Sequence, residues 1–278
     1  MASSITLDEK RPAAPERLRR PGSLRQFYAD HDMTILGATA VVLFLLFWQW
    51  VGTSGIINPL FSSAPSRIIA AFQQLAHEGL GADVVTSAVE FAEGFGLALA
   101  IGIPLGILMG WYRSLEAILE PFVNLFNATP TVALTPIMII WLGIGQNSKI
   151  AIVFLGAIFA LLINTTAGVK NLDAALIAMA RSFDATSLQI FRTIALPGAV
   201  PYILSGIRLG IGHALVGIVV GELYGASAGL GYLIAIGGTT FQTDKVMVGV
   251  VIIAAAGVLL TGVSRRVERH FQAWRPSR

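Results

Sequence analysis

The sequence predicts an all-α membrane protein with six transmembrane helices. Three observations lead there. Of its 278 residues, 55% are hydrophobic and only 13% are charged, about half the charged fraction that covers a soluble surface. The mean hydropathy is +0.72. Apolar runs of spanning length recur along the chain, since a hydrocarbon core about 30 Å thick takes about 20 helical residues.

An arm over residues 1–32, rich in Pro, Ala, Arg and Ser, precedes the first run and has no apolar period. The first span is 33–51, too long for the apolar part of a cleaved signal peptide and followed by no Ala-x-Ala site. Next, PSRIIAAFQQLAHEG sets Ile68, Ile69, Phe72 and Leu75 on one helical face, which predicts a short amphipathic helix at the outer interface. Further spans follow at 84–111, 115–142, 150–169, 201–222 and 245–263, with a tail over 265–278. The membrane domain as a whole is drawn over 33–264.

Lysine and arginine set the orientation, because positive charge is retained on the cytoplasmic side. With the N-terminus inside, fifteen basic residues fall in cytoplasmic segments against Arg67, Lys149 and Lys245 outside, and Arg208 lies within a span. Both termini are therefore expected in the cytoplasm. The net charge of +3 sits at the ends of apolar runs rather than on a soluble face, so no nucleic-acid partner is expected. There is no cysteine, which removes disulfides and thiolate chemistry. The four histidines, at 31, 77, 213 and 270, are too scattered to pair on one helix. No catalytic or metal site is expected.

The cytoplasmic segment 170–200 carries a helical pattern. Leu172, Leu176, Met179 and Phe183 recur at helical spacing, then Leu188, Phe191 and Ala195. Two short helices are predicted, broken near Asp184. Thr186 followed by Gln189 predicts a capping box, and Pro197 and Pro201 are expected to end the second helix and begin the fifth span. On pattern alone, an ordinary interfacial loop and a docking loop both fit.

ARSFDATSLQIFRTIALP, within this loop, resembles the cytoplasmic signature of ABC importer permeases: Glu-Ala-Ala, three residues, Gly, nine residues, Ile, one residue, Leu-Pro. Ala178, Met179 and Ala180 occupy the first three positions, Asp184 the Gly position, and Ile194, Leu196 and Pro197 the remainder. Asp can take the left-handed turn that Gly takes, whereas Ala178 removes a charge. ATPTVALTPIMIIWLGIGQNSKI, INTTAGVKNLD and GELYGASAGLGYLI are similar to the nitrate, sulfonate and taurine branch. Within that branch an Arg is frequent at the positions of Glu90 and Asn127.

The resemblance implies a type I ABC importer permease fold, a bacterial inner-membrane location and transport by alternating access. It implies that the 178–197 loop docks into a separate ATPase, which binds ATP and Mg; this chain has no cofactor of its own. No Lys here follows Gly as a phosphate-cradling loop requires. Ala180, Arg181, Phe183, Asp184, Thr186, Leu188 and Phe191 are the expected docking residues, the apolar ones as anchors. The competing expectation packs Phe183 and Phe191 against the spans. Implied partners are two ATPase copies, a second permease copy as homodimer, an external solute-binding protein and membrane lipid. The implied solute is a sulfonate, taurine, nitrate, aromatic acid or vitamin precursor.

Within the spans, Gly102, Gly106 and Gly110, then Gly206 with Gly210 and Gly217 with Gly221, recur every four residues, a spacing that lets helices approach closely, either in static packing or in sliding. Pro130 and Pro136 interrupt the third span, where Asn124, Asn127, Thr129 and Thr131 can satisfy freed backbone groups or line a wet cavity. Ionisable residues inside a membrane are costly, which singles out Glu90, Glu93, Arg208, His213 and Glu222. Arg208 is expected to pair with a carboxylate, and Glu222 is near enough to the interface to be hydrated. Glu90, Asn127, Thr131 and Glu222 are the candidate pathway residues. A rival reading, a self-contained ion-coupled carrier, would use Glu90, Glu93 and Arg208 as a relay.

Overall fold

A computed structural model describes residues 23–271. The arm before Ser23 and the tail beyond Phe271, with Lys10, Arg11, Arg17, Arg19, Arg20, Arg275 and Arg278, lie outside the described residues. The elements are helical: α1 (Ser23–Thr53), α2 (Pro65–Glu78), α3 (Leu80–Trp111), α4 (Arg113–Ala128), α5 (Thr131–Leu142), α6 (Gln146–Lys170), α7 (Ala174–Ser182), α8 (Ser187–Ile190), a π-helical turn (Phe191–Ala195), α9 (Leu196–Gly225), α10 (Leu230–Thr239) and α11 (Thr243–Phe271). Among the described residues, five helical stretches are long and apolar enough to cross a bilayer, and the bent pair α4 and α5 makes a sixth if it is one span.

Of the described residues, those to Trp50 form one unit and those from Val51 a second. In the first, α1 is apolar over a spanning length, and Val41, Leu43, Phe44 and Phe47 are all exposed. The second unit is built around α6, half of whose span is buried against 11% for α11.

Glycine spacing explains how α6 is enclosed. Gly94, Gly102, Gly106 and Gly110 of α3 lie against Val153, Leu161, Thr165 and Val169 of α6, rising together along the chain, so the two helices run parallel. Gly206, Gly217 and Gly221 of α9 lie against Asn164, Val153 and Lys149, the opposite order, so α9 runs antiparallel. A Cβ on Gly106 would stand 2.7 Å from the Thr165 Cβ, closer than packed carbons tolerate. Both stripes are therefore close-packed seams. Thr166 strengthens the first by donating its hydroxyl to the Gly106 carbonyl at 3.1 Å.

The amphipathic helix α2 forms as predicted, and Gly79 ends it in the left-handed conformation (φ 110°) that lets α3 start at the next residue. Ile68 and Leu75 are buried, while Ile69 and Phe72 of the same face remain exposed. The third span breaks at Pro130, with α4 and α5 meeting at 100°; Pro136 is accommodated inside α5.

One expectation is corrected. Pro197 and Pro201 do not separate the loop helix from the fifth span: helix runs without a gap from Ser187 to Gly225. Proline lacks an N–H and crowds the carbonyl four residues back. Just ahead of Pro197 the ladder widens into a π-turn, where the Leu196 N–H bonds to the Phe191 carbonyl, which accommodates the proline without ending the helix.

Candidate functional site

Three groups of residues gather the sequence candidates, beginning with the loop that joins α6 to α9. Asp173 caps α7, its carboxylate accepting from the Ala175 N–H at 2.8 Å. The helix closes with the Ala185 N–H on the Ala180 carbonyl at 3.1 Å, and Asp184 sits in the left-handed region at φ 54°. This is the turn expected where the loop signature has Gly. Thr186 then opens α8 through a reciprocal capping box: the Gln189 N–H donates to Thr186 Oγ1 at 3.3 Å and the Thr186 N–H to Gln189 Oε1 at 2.7 Å.

Local hydrogen bonds thus shape the loop, and while Ile190 is buried, several of its apolar side chains face outward. Phe183 is 79% exposed, with Met179 and Leu188 also exposed. Arg181 is exposed and Ala180 half-buried. Phe191 differs, packing edge-on against Trp111 at the end of α3, with ring centroids 5.1 Å apart. The two phenylalanines therefore have opposite environments, one turned outward and one bound to a span.

At the far end of the bundle, Glu90 of α3 pairs with Lys149 of α6 at 2.5 Å, both buried. The second Glu90 oxygen has no hydrogen-bond partner. Lys149, counted above as a loop charge, is a buried first-turn residue of α6. Glu222 is only 1% exposed, which corrects the expectation of a hydrated carboxylate. Its Oε1 accepts from the Ser87 hydroxyl and its Oε2 from the Gly231 N–H, each at 2.6 Å. Ser87 in turn accepts from the Leu230 N–H at 2.8 Å, and Asp83 accepts from the Gly229 N–H at 2.8 Å. The orphan amides that begin α10 are thereby satisfied by side chains of α3 and α9. A Cβ at Gly229 (φ 114°) or Gly231 would collide with the Glu222 side chain. Ser87 and Asp83 were not singled out from the sequence; a polar i, i+4 pair opening an apolar helix was the available signal.

Between these ends lies the bend of α4 and α5. Asn127 is exposed in the last turn of α4, and Thr131 is half-buried at the start of α5. The freed backbone is met by Thr129, whose hydroxyl donates to the Leu125 carbonyl at 2.9 Å. Asn124 instead lines a cavity of about 170 Å³ with Glu116, Glu120, Thr166 and Lys170. Of the two expected roles, the Thr129 hydrogen bond fills the first, meeting a freed backbone carbonyl.

The remaining ionisable candidates do not converge. Arg208 pairs with Glu268 of α11, the structural pairing expected. Glu93 accepts from Gln146 at 2.8 Å, and a His213 ring nitrogen lies 3.0 Å from the Leu209 carbonyl. The relay of Glu90, Glu93 and Arg208 required by the carrier reading is not assembled. Among the described residues, no group of acidic, histidine or cysteine side chains could hold a metal ion.

Comparison with known proteins agrees with this architecture. Residues 102–273 match the model of the family described as "Binding-protein-dependent transport system inner membrane component". The chain is 36% identical over 260 residues to the putative aliphatic sulfonates transport permease protein SsuC of Bacillus subtilis, covering 93% of this chain and 92% of that one. It is 31% identical to the taurine transport system permease protein TauC of Escherichia coli, covering 98% of each. Among solved structures, a chain of the inward-facing MetNI methionine ABC transporter superposes with a TM-score of 0.59 at 22% identity, over 69% of this chain and 95% of that one; that likeness concerns the fold alone. The chain accordingly belongs to the inner-membrane components of binding-protein-dependent transport systems, as an ABC importer permease of the sulfonate and taurine type.

Proposed function

We propose that this chain forms the translocation pathway of an ATP-driven importer and that α7 and α8 couple it to a separate ATPase. The observation that carries this reading is the contrast within the loop. Its conformation is fixed by its own caps, while Met179, Phe183 and Leu188 stay exposed. Exposed apolar side chains on an ordered cytoplasmic segment suit a partner's groove, where buried aromatics dominate affinity. Arg181, Asp184 and Thr186 form the rim and caps, with Ala180 beneath them. Phe191 anchors the other edge on Trp111, and the unbroken helix from Ser187 into α9 gives movement of the loop a rigid path into the bundle.

Two copies of the permease would meet two ATPase subunits, which bind ATP and Mg, and an external binding protein would deliver solute at the opposite end. In this scheme both termini are cytoplasmic, and the bundle alternates between inward-open and outward-open states. Asn127 and Thr131, flanking the 100° bend, line the pathway, and the buried Glu90 and Glu222 hold its walls from behind. The solute is a small sulfonate-type organic anion or zwitterion, in line with the names of the relatives.

Copurification tests the coupling. An ATP-binding subunit is expected to accompany the wild-type chain extracted from its native membrane, and to be lost from the double variant Phe183→Ala, Leu188→Ala. Retention of the subunit by a folded double variant would overturn the assignment.

A further inference from the structure

One face of α11 changes character along its length. Val258 and Leu259 are 76% and 67% exposed. Seven residues on, two helical turns away on the same face, stand Arg265 and Arg266, also exposed. Arg269 continues that face one turn further and is exposed as well. We infer that this face holds an anionic phospholipid, with its acyl chains along Val258 and Leu259 and its phosphate on the three arginines. The inference uses only the membrane-spanning character of α11, and is independent of the loop's docking and of which side of the membrane is cytoplasmic.

Helix length sets the arginines at head-group depth. From Thr243, where α11 begins, to Arg265 the helix rises about 33 Å at about 1.5 Å per residue, slightly more than a hydrocarbon core of about 30 Å. Val258 lies about 10 Å nearer the middle of that core than Arg265 does, by the same rise. The path of the chain agrees. Gly257 lies against Leu215 of α9, and Glu268 pairs with Arg208, so α11 runs antiparallel to α9 and its arginines lie at the loop end of the bundle.

Unanswered charge selects the occupant. Glu268, the one carboxylate between Val258 and Arg269, is taken by Arg208. The other ion pairs lie elsewhere, so Arg265, Arg266 and Arg269 have no carboxylate partner among the described residues. A guanidinium presents a planar fork of donors that suits phosphate oxygens in pairs, and a basic cluster at the end of a spanning helix attracts anionic head groups. A zwitterionic head group brings an ammonium that these arginines repel. A second copy of the chain suits the face poorly. Copies related by an axis along the membrane normal keep equal depth, so arginines would meet arginines, a like-charge contact that costs energy. An occupant with an anionic head and an apolar body is an anionic lipid.

The probe is radiolabelled phosphatidylglycerol, bound to the full chain held on a resin in non-ionic detergent. Unlabelled phosphatidylglycerol is expected to displace it at a concentration about tenfold or more below that needed of phosphatidylcholine with the same acyl chains, and added salt should narrow that gap. The double variant Arg265→Gln, Arg269→Gln, with its unfolding midpoint unchanged, should bring the two lipids within about twofold of each other, since the charges that favour the anionic head are gone. The control Arg113→Gln, Arg192→Gln removes as much charge from other exposed positions and should keep the gap. Equal displacement by both lipids in the wild type, or a gap indifferent to salt, would overturn the site. Loss of the gap in the control would assign the preference to net charge alone and overturn it as well. Glycerol phosphate, the head group without a tail, should displace little; displacement as strong as by the lipid would reveal a free-anion site in place of a lipid site.

Discussion

The two ends of the bundle are built on opposite plans. At the far end, Glu222 draws in Ser87 from 135 residues away and Gly231 from nine residues on, all buried. At the loop end, bonds such as Thr186 with Gln189 span three residues and are exposed. Buried networks with every member satisfied fix one arrangement, because losing one partner strands the others in a low dielectric. Exposed local caps hold a shape yet leave its outer surface free to trade neighbours. The far end is therefore the rigid closure and the loop the exchangeable contact.

The largest expected effect tests the closure. Glu222→Ala leaves the Ser87 hydroxyl and the Gly231 N–H buried without an acceptor, at a cost of about 2–4 kcal/mol, read as a lowered unfolding midpoint in detergent. Glu222→Gln, which retains an acceptor oxygen, should lose clearly less. An unchanged midpoint for Glu222→Ala would remove the closure from the account. Next comes Gly106→Ala in the parallel seam, where the added Cβ meets the Thr165 Cβ at 2.7 Å; overpacking predicts a loss of about 1–3 kcal/mol, and equal stability would show that α3 and α6 separate easily.

Legibility in the sequence follows this same division. The break near Asp184, the Thr186 capping box and the break at Pro130 depend on residues within a few positions and are readable from them. The left-handed turn at Asp184 followed from the loop's resemblance to the family signature. Glu222 with Ser87, and Glu90 with Lys149, join residues far apart in the chain. The sequence marks Glu90 and Glu222 as costly in a membrane but does not name their partners, so Glu222 read as hydrated and Lys149 as a loop charge. Pro197 misled for a related reason: the π-turn that accommodates it is a property of the ladder around it, with no residue that signals it. The glycine stripes announced close packing, but their parallel and antiparallel partners came only from the fold.

Smaller effects belong to the loop. Thr186→Ala should cost about 1 kcal/mol by losing the cap, with the local change visible as faster hydrogen exchange in α8 and none in α10; equal exchange in both would join the two ends that are separated here. Phe183→Ala should change stability by no more than about 0.5 kcal/mol, as for an exposed side chain without buried contacts.

That last variant also supplies the most direct test of the central claim, that the loop is built for a partner rather than for the fold. The measurement is ATP-driven uptake by proteoliposomes containing the permease, its matching ATPase and its binding protein, made with wild type and with Phe183→Ala of equal thermal stability. The account predicts that uptake falls at least tenfold in the variant while its unfolding midpoint stays within error of wild type. Wild-type uptake by Phe183→Ala would contradict it, and the loop would then be an ordinary connection between α6 and α9.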